Sequence, residues 1–360
     1  MAETFSLSEL IVPGAYIRVQ AEALIGIGGV STGNIGMVGT ASDGAGETHL
    51  FSEYGEISAA VGDYDAYDDG NGDLNLGRAL ELAYRTGAGT VFARALPAGA
   101  NKADFTAAFA QLAKEDVNIL VAPELSTSDA FDVLSAVVND AENDGKDLIA
   151  VVGADADEPA DIIGQIVDSD SGRHILVTPG IRTFDAAAKA DVDLSGTYTA
   201  AAVAGLLSTL VPQSSPTNKV VPGVTKLTQK FSYGELKQLV NGRVMVLEER
   251  NGVRVVRGVT TNAAAFRQVT TRRITDYAKA GIRQASAPFI GRLNNDRVRK
   301  ALAGAIDGFL TTMKVDEALI SYELSVTATR QDEIAGRAIV NAVIRPTFSI
   351  DFVAVTLVLE

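Results

Sequence analysis

The stretch Gly336–Glu360, GRAIVNAVIRPTFSIDFVAVTLVLE, decides how the rest of the chain is read. β-Branched and aromatic residues dominate it, so it is expected to form two β-strands, interrupted at Pro346, which lacks the N–H that a central strand needs. The second strand is expected to run to the last residue. From Phe348 one face carries Phe348, Ile350, Phe352, Ala354 and Val358. The other begins polar at Thr347, Ser349 and Asp351 and turns apolar at Val353, Val355, Leu357 and Leu359. A strand whose tip is apolar on both faces needs cover on two sides and hydrogen bonds along its edges. Two readings meet that need: a last strand tucked into the chain's own sheet, or an edge that pairs with another chain.

With 360 residues, 47% of them hydrophobic, the chain can build two or three domains around an ample core. It has no cysteine, which removes disulfides, thiolate metal sites and thiol nucleophiles and suits a reducing cytosol. Only His49 and His174 are present, so a multi-histidine metal site is not expected. No N-terminal signal and no run long enough for a membrane-spanning helix is visible, so direct membrane insertion is not expected. The net charge of -14 is divided unevenly. Residues 1–225 carry 11 Lys+Arg against 32 Asp+Glu, a net -21, whereas 226–360 carry 20 against 13, a net +7. The basic half lacks interleaved aromatics, which argues against nucleic acid. Oppositely charged halves suit copies that stack on one another, or a basic face on an acidic partner.

Taken in order, Thr4 to Arg18 is an extended lead stopped from helix formation by Pro13 and Gly14, followed by a glycine-rich hinge from Gly26 to Gly36. Up to about Ile181 strands and helices alternate. The candidate strands are Met37 to Ala41, Thr90 to Ala95, Val117 to Ala122, Leu148 to Gly153 and His174 to Thr178, most of them short and continuously apolar as buried parallel strands are. The helices between them are expected at Leu74 to Arg85, Lys102 to Ala113, Ser128 to Asn143 and Asp157 to Asp168, with Thr127 or Ser128 and Asp157 as N-caps. This alternation predicts an α/β layered domain. A small-residue helix follows at Thr197 to Leu210, then a hairpin of Arg243 to Glu248 and Val253 to Gly258 turned at Asn251-Gly252. Two long helices, Thr271 to Ala287 and Asn295 to Lys314, precede a strand at Ala318 to Ala328 and the closing pair.

Three motifs invite chemistry. Gly29-Val30-Ser31-Thr32-Gly33 matches the G-x-S-x-G turn of α/β hydrolases, with Ser31 as nucleophile, but that turn needs a strand before it and a helix after it, and Asn34 to Ala41 reads as a strand. The loop Asp63 to Asp73 imitates a calcium loop from Asp69, yet Leu74 stands where glycine is required and Leu80 where the bidentate glutamate is required. No phosphate-binding glycine motif occurs, so no nucleotide or other cofactor is expected. The cluster Arg292, Arg297, Arg299 and Lys300 at the start of the second long helix is either a binding face or an ordinary solvated one.

Several segments together resemble the contractile-tail sheath proteins of phages, tailocins and related injection machines. Val12-Pro13-Gly14-Ala15-Tyr16-Ile17 resembles that family's opening V-P-G-V-Y-I, with Ala for Val. Ser195-Gly196-Thr197 through Ala202-Val203-Ala204-Gly205-Leu206 resembles its S-G-x-x-A-G helix, and Ser215-Pro216-Thr217-Asn218 is a reduced form of the proline loop that follows. Val240-Asn241-Gly242 with Val255-Val256-Arg257-Gly258-Val259-Thr260-Thr261 is similar to its hairpin, and Tyr277, Phe289-Ile290-Gly291 and Asn294-Asn295-Asp296 fall where its two-helix segment would put them.

The resemblance implies a multi-domain α/β (α+β) sheath fold. Residues 1–36 would be an arm and hinge, 37–190 an outer α/β insertion, and 191–360 the core with its terminal strand. The exchanged strands would use Val12, Tyr16, Ile17 and Val19 at one end and Phe352, Val353, Val355, Leu357 and Leu359 at the other, with Gly26 to Gly36 and Arg345-Pro346 as joints. Arg292, Arg297, Arg299 and Lys300 would face an inner tube. The implied protein is a non-enzymatic helical homo-oligomer of a virion tail, assembled in the bacterial cytoplasm, with tail tube, baseplate and terminator proteins as partners. A hydrolase using Ser31 and a tail tube protein are the rival readings.

Overall fold

The computed structural model describes residues 30–62, 75–166, 172–185 and 189–358. The arm with Val12, Tyr16, Ile17 and Val19, the acidic loop from Asp63 to Asp73, and Leu359 lie outside them. The first part of the chain forms β1 (Ile35–Thr40), β2 (Thr48–Phe51), α1 (Ile57–Val61), α2 (Leu76–Arg85), β3 (Val91–Leu96), α3 (Lys102–Leu112), β4 (Ile119–Val121), α4 (Thr127–Asn143), β5 (Ile149–Gly153), α5 (Pro159–Gly164) and β6 (His174–Thr178). There follow β7 (Ile181–Asp185), β8 (Ala190–Leu194), α6 (Gly196–Thr209), β9 (Lys226–Leu227), α7 (Tyr233–Asn241), β10 (Met245–Glu249) and β11 (Val253–Val255). The last part is α8 (Val269–Ser286), α9 (Asp296–Val315), β12 (Leu319–Thr327), α10 (Arg330–Ile334) and β13 (Ile339–Pro346).

The strands expected to be buried and parallel are so, because each apolar run is covered on both faces. β1 pairs in parallel with β3 on one side and β4 on the other, and β5, β6 and β10 extend the sheet in the order β11-β10-β6-β5-β4-β1-β3-β2. Antiparallel strands, β2 and β11, close the two edges. One core lies between the sheet and α2 and α6, a second between the sheet and α3, α4 and α7. Helix α6 is buried from Gly196 to Leu207, which explains its small residues: a Cβ on Gly205 would sit 2.4 Å from the carbonyl oxygen of Ala83, so α2 can cross there only over glycine.

The sheet runs past residue 190, where a boundary was expected, since β10 pairs with β6 and β11 with β10. The expected turn holds, with Asn251 at φ 52° and Gly252 at φ 97°. Two N-cap expectations do not. Ser126, not Thr127 or Ser128, caps α4 by accepting from the Asp129 N–H, and α5 begins at Pro159 after Glu158, which makes no capping bond. Proline at N1 replaces the cap there, having no N–H to satisfy. The strands β7, β8 and β9 are too short to show a period, and α7 buries only Leu239, which leaves it no apolar stripe in the sequence.

The last part of the chain has its own apolar core between α8, α9 and the inner face of a two-stranded ribbon, β12 with β13. Tyr277 and Phe309 meet at 5.4 Å between ring centres, and Phe309 lies over Gly281, where a Cβ would come within 1.9 Å of its ring. Buried charges join this part to the sheet. Arg173, wholly buried before β6, reaches Glu142 and Asp147 at 2.8 Å, and Lys279 of α8 bonds to the same two carboxylates at 2.9 and 2.5 Å.

Candidate assembly interface

In the ribbon, Tyr322, Leu324 and Val326 of β12 lie opposite Ile344, Ala342 and Val340 of β13, and this face packs on the helices. The alternate residues, Glu323, Ser325 and Thr327 with Ile339, Asn341 and Val343, are exposed. Period-two alternation therefore places a real inner face, but the sheet stops at two strands among the described residues, leaving both outer edges without a ladder. A two-stranded ribbon is marginal alone, and open edges are templates for further strands.

The stretch from 347 to 358 is the correction to the sequence reading: it forms no strand within the protomer. A strand is defined by its partner, and none is present among the described residues. Its large apolar side chains are out in solvent, with Phe352 78%, Val353 80%, Val355 73%, Leu357 86% and Val358 79% exposed. A soluble chain rarely exposes such a contiguous run unless something covers it.

The root of this tail is fixed. The Asp351 carboxylate, almost buried, accepts from Arg257 Nε at 2.7 Å, Gln268 Nε2 at 3.1 Å, Ser349 Oγ at 3.2 Å and Thr217 Oγ1 at 3.3 Å. Gln268 also accepts from the Ser349 N–H at 3.3 Å, and the Arg257 guanidinium lies 5.1 Å from the centre of the Phe352 ring. The chain is therefore not free from Arg345-Pro346, where a joint was expected; β13 runs through Pro346, Thr347 bonds on to Ala318, and the first unheld residue is Val353. Sequence reasoning missed Thr217, Arg257 and Gln268. The one available signal was an acidic residue inside an otherwise apolar strand pattern.

The four expected tube-facing residues separate. Arg297 is exposed and bonds to none of the described residues. Lys300 is exposed and pairs with Asp296 one turn earlier at 2.9 Å, and Arg292 stacks on Phe289 at 5.2 Å. Arg299 points inward instead. It bonds to Glu333 at 3.1 Å and to Asn294 Oδ1 at 2.9 Å, tying α9 to α10. Asn295 caps α9 by accepting from the Val298 N–H.

Among the described residues Ser31 has no histidine or carboxylate bonded to it. Its hydroxyl donates to Asn118 Oδ1 at 2.9 Å and the strand β1, not a helix, follows it. His174 is buried against Ser135, and His49 stacks on Phe51, so neither is a base for Ser31. Among the described residues no cluster suited to a metal ion occurs, and no helix is long and apolar enough to cross a membrane.

Two family descriptions match the chain: phage tail sheath protein central domain over residues 98–261, and phage tail sheath C-terminal domain over 261–360. No curated protein matches it. Among solved structures it is similar to the helical sheath of the anti-feeding prophage in the contracted state, with 16% identity, a TM-score of 0.76, and 97% of this chain and 99% of that one covered. It is similar also to the sheath of an extracellular contractile injection system, PVC, in the contracted state (15% identity, TM-score 0.74, 100% and 99% covered). A sheath tail protein from Desulfitobacterium hafniense shares the fold at 13% identity and a TM-score of 0.68, with 93% and 100% covered. With a fold shared over nearly its whole length and family matches running without a gap from residue 98 to residue 360, the chain belongs to the phage tail sheath protein family and is a subunit of a helical contractile sheath.

Proposed function

We propose that the sheath built from this chain surrounds an inner tail tube, and that its copies are linked by strands passed from one subunit to the next. The observation that carries this reading is the pairing of an exposed, unladdered apolar segment, 353–358, with a ribbon, β12–β13, that has open edges on the same protomer. Main-chain hydrogen bonds between strands depend little on side-chain identity, so such a link can persist while lateral contacts between bodies are remade during contraction. The arm with Val12, Tyr16, Ile17 and Val19 would supply the other exchanged strand. The acidic 37–190 region faces outward and the basic 191–360 region inward, where Arg292, Arg297 and Lys300 meet the tube. Baseplate and terminator proteins cap the two ends, and the particle, a virion tail or an injection machine, is assembled in the bacterial cytoplasm. No chemistry is catalysed; the work of contraction is stored in assembly.

Deleting residues 353–360 tests the link. The shortened chain is expected to stay folded and soluble, with its circular dichroism unchanged, and to form no cylinders in negative-stain images. Ordered cylinders from the shortened chain would refute strand exchange.

A further inference from the structure

The contacts at Asp351 do more than tether the tail. We propose that they prevent self-closure: by holding 349–352 against the sheet body, they stop the segment beyond from folding back on its own β13, leaving it for the ribbon of a second copy. The inference rests on the exchange reading above.

The alternative is geometrically within reach. β13 is eight residues long and its outer edge carries no strand among the described residues. A tail freed from the body could turn within 347–350 and lay 351–358, also eight residues, along that edge as a hairpin. Its apolar alternation suits such an edge as well as it suits a neighbour's, and an intramolecular partner has the advantage of effective concentration. In the structure the turn is not made. Instead Thr347 bonds to Ala318, Ser349 is paired through the Gln268 side-chain amide in the manner of a neighbouring strand, and Asp351 is surrounded by four donors from 217, 257, 268 and 349. The donors come from the proline loop, the segment after β11 and the residue before α8, so three separate parts of the sheet body hold one carboxylate. Arg257 adds to the hold by lying 5.1 Å from the centre of the Phe352 ring, which stays 78% exposed, and from Val353 onward no such contact holds the chain to the described residues.

Chain length is the smaller part of the effect. Releasing 347–352 would double the projecting segment from six described residues to twelve, which lowers its effective concentration at a neighbour's edge by only about threefold. Closure onto β13 removes the strand from exchange altogether, so the predicted loss is larger.

The test uses the unassembled full chain at low concentration, with amide hydrogen exchange read at 353–358 and polymerisation read separately. In the natural sequence these amides are expected to exchange at near-unprotected rates. In Asp351→Ala they are expected to slow at least tenfold as the tail closes on β13, with polymerisation falling by more than the threefold that length alone gives. Gln268→Ala, which leaves no buried charge unpaired, is expected to do the same to a smaller degree and guards against misfolding of the first variant. Fast exchange at 353–358 in both variants overturns the proposal, as does slow exchange in the unaltered chain. Failure of exchange itself would show differently, as cylinders formed by the chain shortened at Val353.

Discussion

Arg173 Nη1 lies 3.1 Å from Asp276 Oδ2, joining the loop before β6 to the middle of α8. The same guanidinium bonds to Glu142, Asp147 and the Leu148 carbonyl, while Asp276 also accepts from Arg272 Nε at 3.1 Å. Hydrogen bonding from Arg173 holds the Glu142 carboxyl down at about 2. Burial alone would make such a cluster costly, and an apolar replacement of the whole set could be as stable; removing one member is different, because it strands the opposite charges. Arg173→Met is therefore expected to cost about 3 kcal/mol, measured by urea unfolding. A loss below about 1 kcal/mol would mean that Lys279, Arg272 and Arg283, which also bonds to Asp147, neutralise the carboxylates without it.

The pH dependence of stability should contain two opposed contributions. Glu124, after β4, is pushed up to about 7 by burial, although it accepts from both the N–H and the hydroxyl of Thr40 at 2.7 Å. Its folded value lies above the unfolded one, so its contribution is full below about 4.5 and is lost as pH rises through 7. His174 is pushed down to about 4 by burial and then by Arg173, so the unfolded chain takes up its proton first and stability falls as pH drops from 6.5 through 4. Each is a swing of about 3 kcal/mol, and they cancel over most of the shared window. The unaltered chain should then be nearly level between pH 4.5 and 6.5 with respect to these two groups. Glu124→Gln should expose the histidine, giving a stability that falls steeply as pH drops from 6.5 to 4.5. Chemical unfolding at half-unit pH steps would show it, and a variant as level as the parent would contradict the assignment.

On the surface proposed to face a tube, Arg297 and Lys300 are the exposed cations to reverse, since Arg299 is engaged with Glu333. A single exposed pair contributes on the order of 0.2 to 1 kcal/mol and weakens with salt, but the contact would repeat in every subunit. Arg297→Glu with Lys300→Glu is expected to abolish extended sheath on tubes while empty, contracted-like cylinders still form. Electron microscopy of sheath assembled with tubes at physiological salt decides it: extended sheath formed by the double variant would make this helix end a plain solvated surface.

What the sequence by itself determined was local and periodic. Apolar runs with no polar alternation marked β3, β4, β5 and β6 as strands covered on both sides, and Asn251-Gly252 marked a turn, because backbone geometry and burial act residue by residue. The open question at Gly336–Glu360 was one the sequence could pose and not answer, since apolarity says that a strand needs a partner and not whose it is. Only the tertiary structure decided that 353–358 joins no strand among the described residues, that Arg299 turns inward while Arg297 does not, and that the tail is fixed at Asp351 instead of Pro346. The hold on Asp351 depends on donors brought together from positions 83 and 134 residues away, Gln268 and Thr217, and Arg299 turns toward Glu333, 34 residues on; no local pattern records such distances.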